Sequence, residues 1–308
     1  MAYTTTMSTL LTAIKTRLQT YSQAGEVLAS VKTWKRGVLP PLPVFPALAL
    51  LPIREVHHRE MSGGTYWVDR LVQLDLWHKA YRGPTGSLAD TMNLLNSVKD
   101  IVRTEYEWPS GGVAQCVDTL FGEEEIGEME PFRQTFVQRS SLRLTCRSQE
   151  TFPTQTVVKT VQEVAYRPFV DHVDAVIQGY KATTLSKVKS YHVNAMAPLP
   201  SARFPAVAVM GDTEILAHTH AGVDTAERRL RVIVWTLLID KEQSLNDNLA
   251  VVEALKDILQ INYAFGGWCR NSTIDSIVYG QSAAEDVHCY QSTIHLTCEG
   301  VDNLPAVV

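Results

Sequence analysis

The chain comes close to repeating itself, and that limits its possible folds more than any other feature. Val31-Lys-Thr-Trp34 recurs as Val188-Lys-Ser-Tyr191, and Pro41-Leu-Pro43 recurs as Pro198-Leu-Pro200. Phe45-Pro-Ala47 matches Phe204-Pro-Ala206, and Trp77 matches Trp235. Further along, Ser87-Leu-Ala-Asp90 matches Ser244-Leu-Asn-Asp247, and Val98-Lys-Asp-Ile101 matches Leu255-Lys-Asp-Ile258. Leu142-Arg-Leu-Thr-Cys146 closes the series against Ile294-His-Leu-Thr-Cys298. Collinear matches with small drifts in spacing are a poor fit to chance. Two copies are too few for a solenoid, so a chain of 308 residues reads as a tandem pair of ordinary-sized domains, 1–150 and 155–308. The junction is expected in Ser148-Gln-Glu-Thr-Phe-Pro-Thr154, a polar stretch with a proline.

Each copy reads as helix, strands, helix, strands. Met7, Leu10, Leu11, Ile14, Leu18 and Tyr21 fall at helical spacing, and Phe169 to Tyr180 forms a shorter counterpart. The β-rich runs Leu48 to Val56 and Tyr66 to Trp77 flank Met61-Ser-Gly-Gly64, which suits a hairpin. Val207 to Leu216 and Leu230 to Ile239 repeat the pair. Ser87 and Ser244, with Asp90 and Asp247 three residues on, read as capping boxes. Behind them run the stripes Leu88, Met92, Leu95, Val98, Ile101 and Leu245, Leu249, Val252, Leu255, Ile258. Gly111-Gly112 and Gly266-Gly267 are placed to stop these helices. Closing strands are expected over Ala114 to Phe121 with Thr135 to Cys146, and over Ile274 to Tyr279 with Val287 to Cys298. The fold class is therefore α+β, two copies of an antiparallel or mixed sheet packed against helices.

Composition narrows the function classes. No apolar run approaches the ~20 residues of a membrane span, and the N-terminus lacks the basic start and apolar core of a secretory signal. A cytoplasmic protein with reduced thiols is expected, since five widely spaced cysteines give no framework and no zinc knuckle. The 28 basic residues against 33 acidic ones argue against gripping nucleic-acid backbone as the main task. No dinucleotide, phosphate-loop, nucleophile-elbow or H-E-x-x-H motif occurs. No catalytic residue, cofactor or metal site is assigned.

His57-His58 and His218-Thr-His220 are close histidine pairs after corresponding strands, but a third ligand is missing and solvated positions near hairpin tips are expected. Should the chain instead be an enzyme or a small-molecule or metal-binding module, these four residues are its best polar candidates. Glu123, Glu124, Glu125, Glu128 and Glu130 form an acidic run, expected as a solvated hairpin that repels a passing polyanion. Cys146 and Cys298 show no neighbouring basic cluster and read as core. The run Val232, Val234, Trp235, Leu237 is apolar on both strand faces, so one face needs a cover from the sister copy or another subunit, or else from the chain around it. Pro41, Pro43, Pro198 and Pro200 mark stiff linkers or contact arms.

The order of elements resembles the tail-terminator, or tail-completion, proteins of long-tailed bacteriophages. The likeness rests on Leu10 to Leu18, Phe45-Pro-Ala-Leu48, Tyr66 to Trp77, Ser87 to Ile101 and Thr135 to Cys146, with their second-copy equivalents. It implies a structural, non-enzymatic virion protein in a ring at the head-proximal end of the tail tube, ending tube growth and meeting the neck or connector. Expected partners are copies of itself, the tube protein, the connector protein and genome DNA passing without specific binding. Another neck or connector component is the neighbouring reading. With two copies per chain, three chains complete a six-domain ring and six make a larger collar. Counted through Pro153 the first copy holds 16 basic and 16 acidic residues and the rest 12 and 17, an asymmetry suited to unlike axial contacts.

Overall fold

A computed structural model describes residues 5–38, 43–61, 65–79, 83–132, 135–151, 165–195, 203–218, 224–284 and 287–302. The chain divides into two compact units, Met1–Thr151 with Asp240–Leu245, and Phe152–Ile239 with Asn246–Val308.

In the first unit the elements are α1 (Met7–Thr20), β1 (Thr33–Arg36), β2 (Ala47–Met61), β3 (Thr65–Lys79), α2 (Gly83–Thr104), β4 (Asp118–Phe132) and β5 (Thr135–Thr151). Its strands lie in the order β4-β5-β3-β2, all antiparallel, with β1 parallel beside the start of β2. The second unit has α3 (Tyr166–Gln178), β6 (Ser190–Val193), β7 (Ala206–His218), β8 (Asp224–Leu237), α4 (Lys241–Ile261, whose residues up to Leu245 count with the first unit), β9 (Asn271–Ala284) and β10 (Val287–Asp302). Its order is β9-β10-β8-β7, again antiparallel, with β6 parallel beside the start of β7. The fold is α+β, as composition and periodicity require. Both units share one element order and one strand order, down to a register shift at the same place in β2, between Pro52 and Arg54, and in β7, between Gly211 and Thr213.

Local sequence explains most of these elements. α1 starts at a reciprocal capping box between Thr6 and Thr9 and buries Met7, Leu10, Leu11, Ile14 and Leu18. β3 alternates strictly from Thr65 to Leu74, burying Tyr66, Val68, Arg70, Val72 and Leu74. Each apolar member of such a row contributes about 2 kcal/mol by leaving water. α3 buries Phe169, Val170, Val173 and Ile177 and packs on β6 and β7.

Several boundaries correct the sequence reading. The two serines are not N-caps: α2 already begins at Gly83, and in α4 the cap is Asp240, whose Oδ1 accepts from the Glu242 and Gln243 N–H groups at 3.1 and 3.0 Å. An aspartate bonds two free amides at once, whereas Ser244 lies one turn inside and is buried. The double glycines do not stop the helices, which end earlier, at Thr104 and Ile261. They serve the turns beyond, where Gly111, Gly112, Gly266 and Gly267 all take positive φ. Leu88, expected on the buried stripe, is exposed. Ala114 to Val117 lies before β4, and β4 itself runs on through the acidic residues.

Candidate functional site

Among the described residues the largest fully buried polar side chains are two arginines at the same place in the two ladders. Arg70 faces Cys146 across β3 and β5, and Arg228 faces Cys298 across β8 and β10. Both sit at inward positions where the alternation calls for an apolar residue, and both are fully buried. A buried guanidinium needs carboxylate or other acceptors. Arg70 Nη1 donates to Ser148 Oγ at 2.5 Å and Nη2 to Glu150, while Glu55 Oε1 lies 3.6 Å from Nε. Tyr66 Oη donates to Glu150 Oε2 at 2.8 Å. Arg228 Nε donates to Glu214 Oε1 at 2.8 Å, and its guanidinium lies over the Phe169 ring, 5.4 Å from the centroid.

A buried pair of free thiols accompanies each arginine: Cys116 with Cys146, and Cys269 with Cys298. Thr119 Oγ1 lies 3.4 Å from Cys116 Sγ and 3.6 Å from Cys146 Sγ. The Cys116 hydrogen bond and burial push the Cys146 thiol well up, and burial with the Cys269 hydrogen bond does the same to Cys298. The sequence reading of cysteines without a basic neighbour is thus corrected, because each has an arginine directly opposite. Both stay protonated nonetheless, since desolvation and the thiol partner outweigh the arginine charge. The arginines were readable in principle, as charges breaking an apolar alternation at matching places in both copies.

His57 and His58 lie within a strand, not a loop, and His57 is not solvated. His57 lies in β2 with its side chain 5% exposed, Nε2 3.6 Å from Glu55 Oε2 and its ring stacked on Tyr66. His58 is the more exposed and meets Asp69 Oδ2 at 2.8 Å. His218 ends β7, and His220 lies outside the described residues. Among the described residues no group of three His, Cys, Asp or Glu is placed to hold a metal ion.

The acidic run is not a hairpin loop. It belongs to β4, with register shifts between Phe121 and Glu124 and between Ile126 and Met129. Glu123, Glu124 and Glu125 are exposed, Glu123 pairing with Arg143 and Glu124 with Lys99. Glu128 and Glu130 continue the strand. Bulges and alternating strand geometry let a β-poor acidic sequence pair with β5.

The apolar run in β8 is not a free contact surface. Val232, Val234 and Trp235 are fully buried within the chain and Leu237 is half-buried. Ile233 and Trp235 pack with Ala195, Ala206, Ala208 and Cys289, and Trp235 Nε1 donates to Gln291 Oε1 at 3.0 Å. Both faces of the strand are therefore filled. Pro43 is half-buried just before β2, while Pro41, Pro198 and Pro200 lie outside the described residues.

The outward side of β3 and β5 carries an ion-pair ladder. Arg147 chelates Asp69 through Nε and Nη2 at 2.7 and 2.8 Å, and Arg139 Nη2 lies 3.1 Å from Asp75 Oδ2. The Arg147 hydrogen bonds hold the Asp69 carboxyl below its ordinary value against desolvation, with His58 adding to them. No helix among the described residues is long and apolar enough to cross a membrane. No protein-family model matches the sequence, and no curated protein matches it significantly.

Proposed function

We propose that this chain is a structural component of a phage particle, forming a ring at the head-proximal end of a tail tube that ends tube growth and joins it to the neck. The observation that carries this reading is the shared architecture of the two units: one helix-strand-helix-strand order and one strand order, used twice in a single chain. A ring needs repeated bricks with unlike edges, and placing two in one chain makes every second contact covalent and raises the effective concentration for the rest. Three such chains supply six units. The buried Arg70 and Arg228 clusters then serve to fix strand register inside each brick, and the site chemistry is architectural, with no catalytic step assigned. The exposed acids of β4, two of them offset by Arg143 and Lys99, leave a weakly negative surface over which DNA passes without being held.

The test is electron microscopy of the purified protein alone and with isolated tail tubes. Closed rings that seat on one tube end support the reading. Protein that stays monomeric and leaves tube ends bare refutes it.

A further inference from the structure

The two units leave different strand edges open. β4 closes the strand order of the first unit and pairs there with β5. β7 pairs with β8 along its length, but on its other edge it meets β6 only over Ala206–Val209. From Thr213 to His218 that edge has no ladder partner among the described residues of the second unit. An open edge is a row of N–H and C=O groups ready to template another strand.

Apolar side chains mark both edges. Leu120 and Ile126 on β4 are 48% and 43% exposed, and Ile215 and Leu216 on β7 are 49% and 43% exposed. Charge then selects the pairing. Two copies of β4 laid together would set Glu123, Glu124 and Glu125 against the same three acids, and like charges opposed across strands destabilise a ladder. The open stretch of β7 carries a single acid, Glu214, which Arg228 neutralises. Pairing β7 with a second β7 would leave the apolar residues of β4 uncovered.

We propose that β4 of one copy adds to the Thr213–His218 edge of β7 in a second copy of this chain. The inference names the contact for the self-association in the proposed function, and it rests on the two edges themselves. It joins unlike surfaces, so it is heterologous and propagates into a ring or a filament.

The test uses full-length chains carrying Leu120→Cys or Ile215→Cys singly, the five native thiols being buried. The two variants are mixed and treated with a short bis-maleimide, and products are mapped by mass spectrometry. The expected result is an interchain L120C to I215C product several-fold above the L120C to L120C product. Ile126→Lys is expected to lower the mass seen by light scattering toward the monomer with an unchanged melting curve. Predominant L120C to L120C linkage, or a wild-type protein monomeric at every concentration, would overturn the proposal. Chains linked through these positions that ignore tail tubes would sink the virion reading and leave the edge pairing standing. Tube-capping rings without this linkage would do the reverse.

Discussion

Arg228 reaches Glu214 through a 2.8 Å hydrogen bond from a guanidinium with no exposed surface, while the carboxylate keeps partial access to water. At the matching place in the first unit, Arg70 serves Glu55 and Glu150, both buried. Removing one member of a buried pair costs mainly through the charge left behind. Arg70→Met is therefore expected to destabilise by about 3–5 kcal/mol, and Arg228→Met by about 2 kcal/mol because Glu214 can turn to solvent. Urea unfolding followed by circular dichroism orders the two variants. The reverse order would show that burial of the partner does not set the cost.

Trp235 separates a core role from a contact role. It fills the space between Ala206, Ala208 and Cys289 within its own unit. Trp235→Ala is expected to cost about 3–5 kcal/mol, and to lower the melting temperature by the same amount at low and high protein concentration. A loss that grows on dilution would instead place this side chain at an interface between chains.

Acid should weaken the outward ladder in a defined window. The Asp69 carboxyl is held below its ordinary value by Arg147 in the folded state. Its contribution is complete above the unfolded value of about 3.9 and is lost as pH falls through the lower folded value. Asp69→Asn is thus expected to lower stability at neutral pH and to flatten the fall between about pH 5 and pH 2. Melting curves across that range check it. A variant with the same acid limb as the wild type would remove Asp69 from the ladder's energetics.

The thiols give a prediction about access. All five cysteines are buried and free, and Cys146 and Cys298 are pushed well up, the first chiefly by its Cys116 hydrogen bond, the second chiefly by burial. The thiolate is the reactive form, so native protein should react with an aromatic disulfide reagent only at the rate of opening. Absorbance should report all five thiols once the chain is unfolded. Rapid reaction of any of them in the native state would contradict the packing described.

Much of the fold was legible because it follows from alternation and helical spacing, which the even-numbered row of β3 and the stripe of α1 display directly. What sequence reading missed depends on long-range pairing. β1 and β6 are four-residue strands paired only by a parallel ladder to β2 and β7 among the described residues, so no local period marks them. β4 crosses five glutamates because β5 supplies the ladder and its bulges absorb the misfit. The Val232–Trp235 stretch reads as a surplus apolar face until Ala195, Ala206 and Cys289 are seen to fill the space beside it. The buried arginines escaped because a charge in an apolar row has meaning only beside its acid, and Glu55 and Glu214 arrive from other strands.

Gly300 offers the sharpest comparison between the units. It lies two residues beyond Cys298 in β10, as Ser148 lies two beyond Cys146 in β5. A Cβ at Gly300 would stand 2.8 Å from Arg228 Nη1, whereas Ser148 meets Arg70 by accepting a hydrogen bond through Oγ. The atom crowded at Gly300 is the far end of a flexible side chain, and the first unit shows a geometry in which a serine and the arginine coexist. Gly300→Ser is therefore expected to change stability by no more than about 1 kcal/mol, the added hydrogen bond offsetting the shift of the guanidinium. Gly300→Val adds more bulk than serine and no acceptor, and is expected to cost about 1–3 kcal/mol through overpacking. Equal losses for both, measured by urea unfolding, would mean that the second unit cannot adopt the arrangement seen around Arg70.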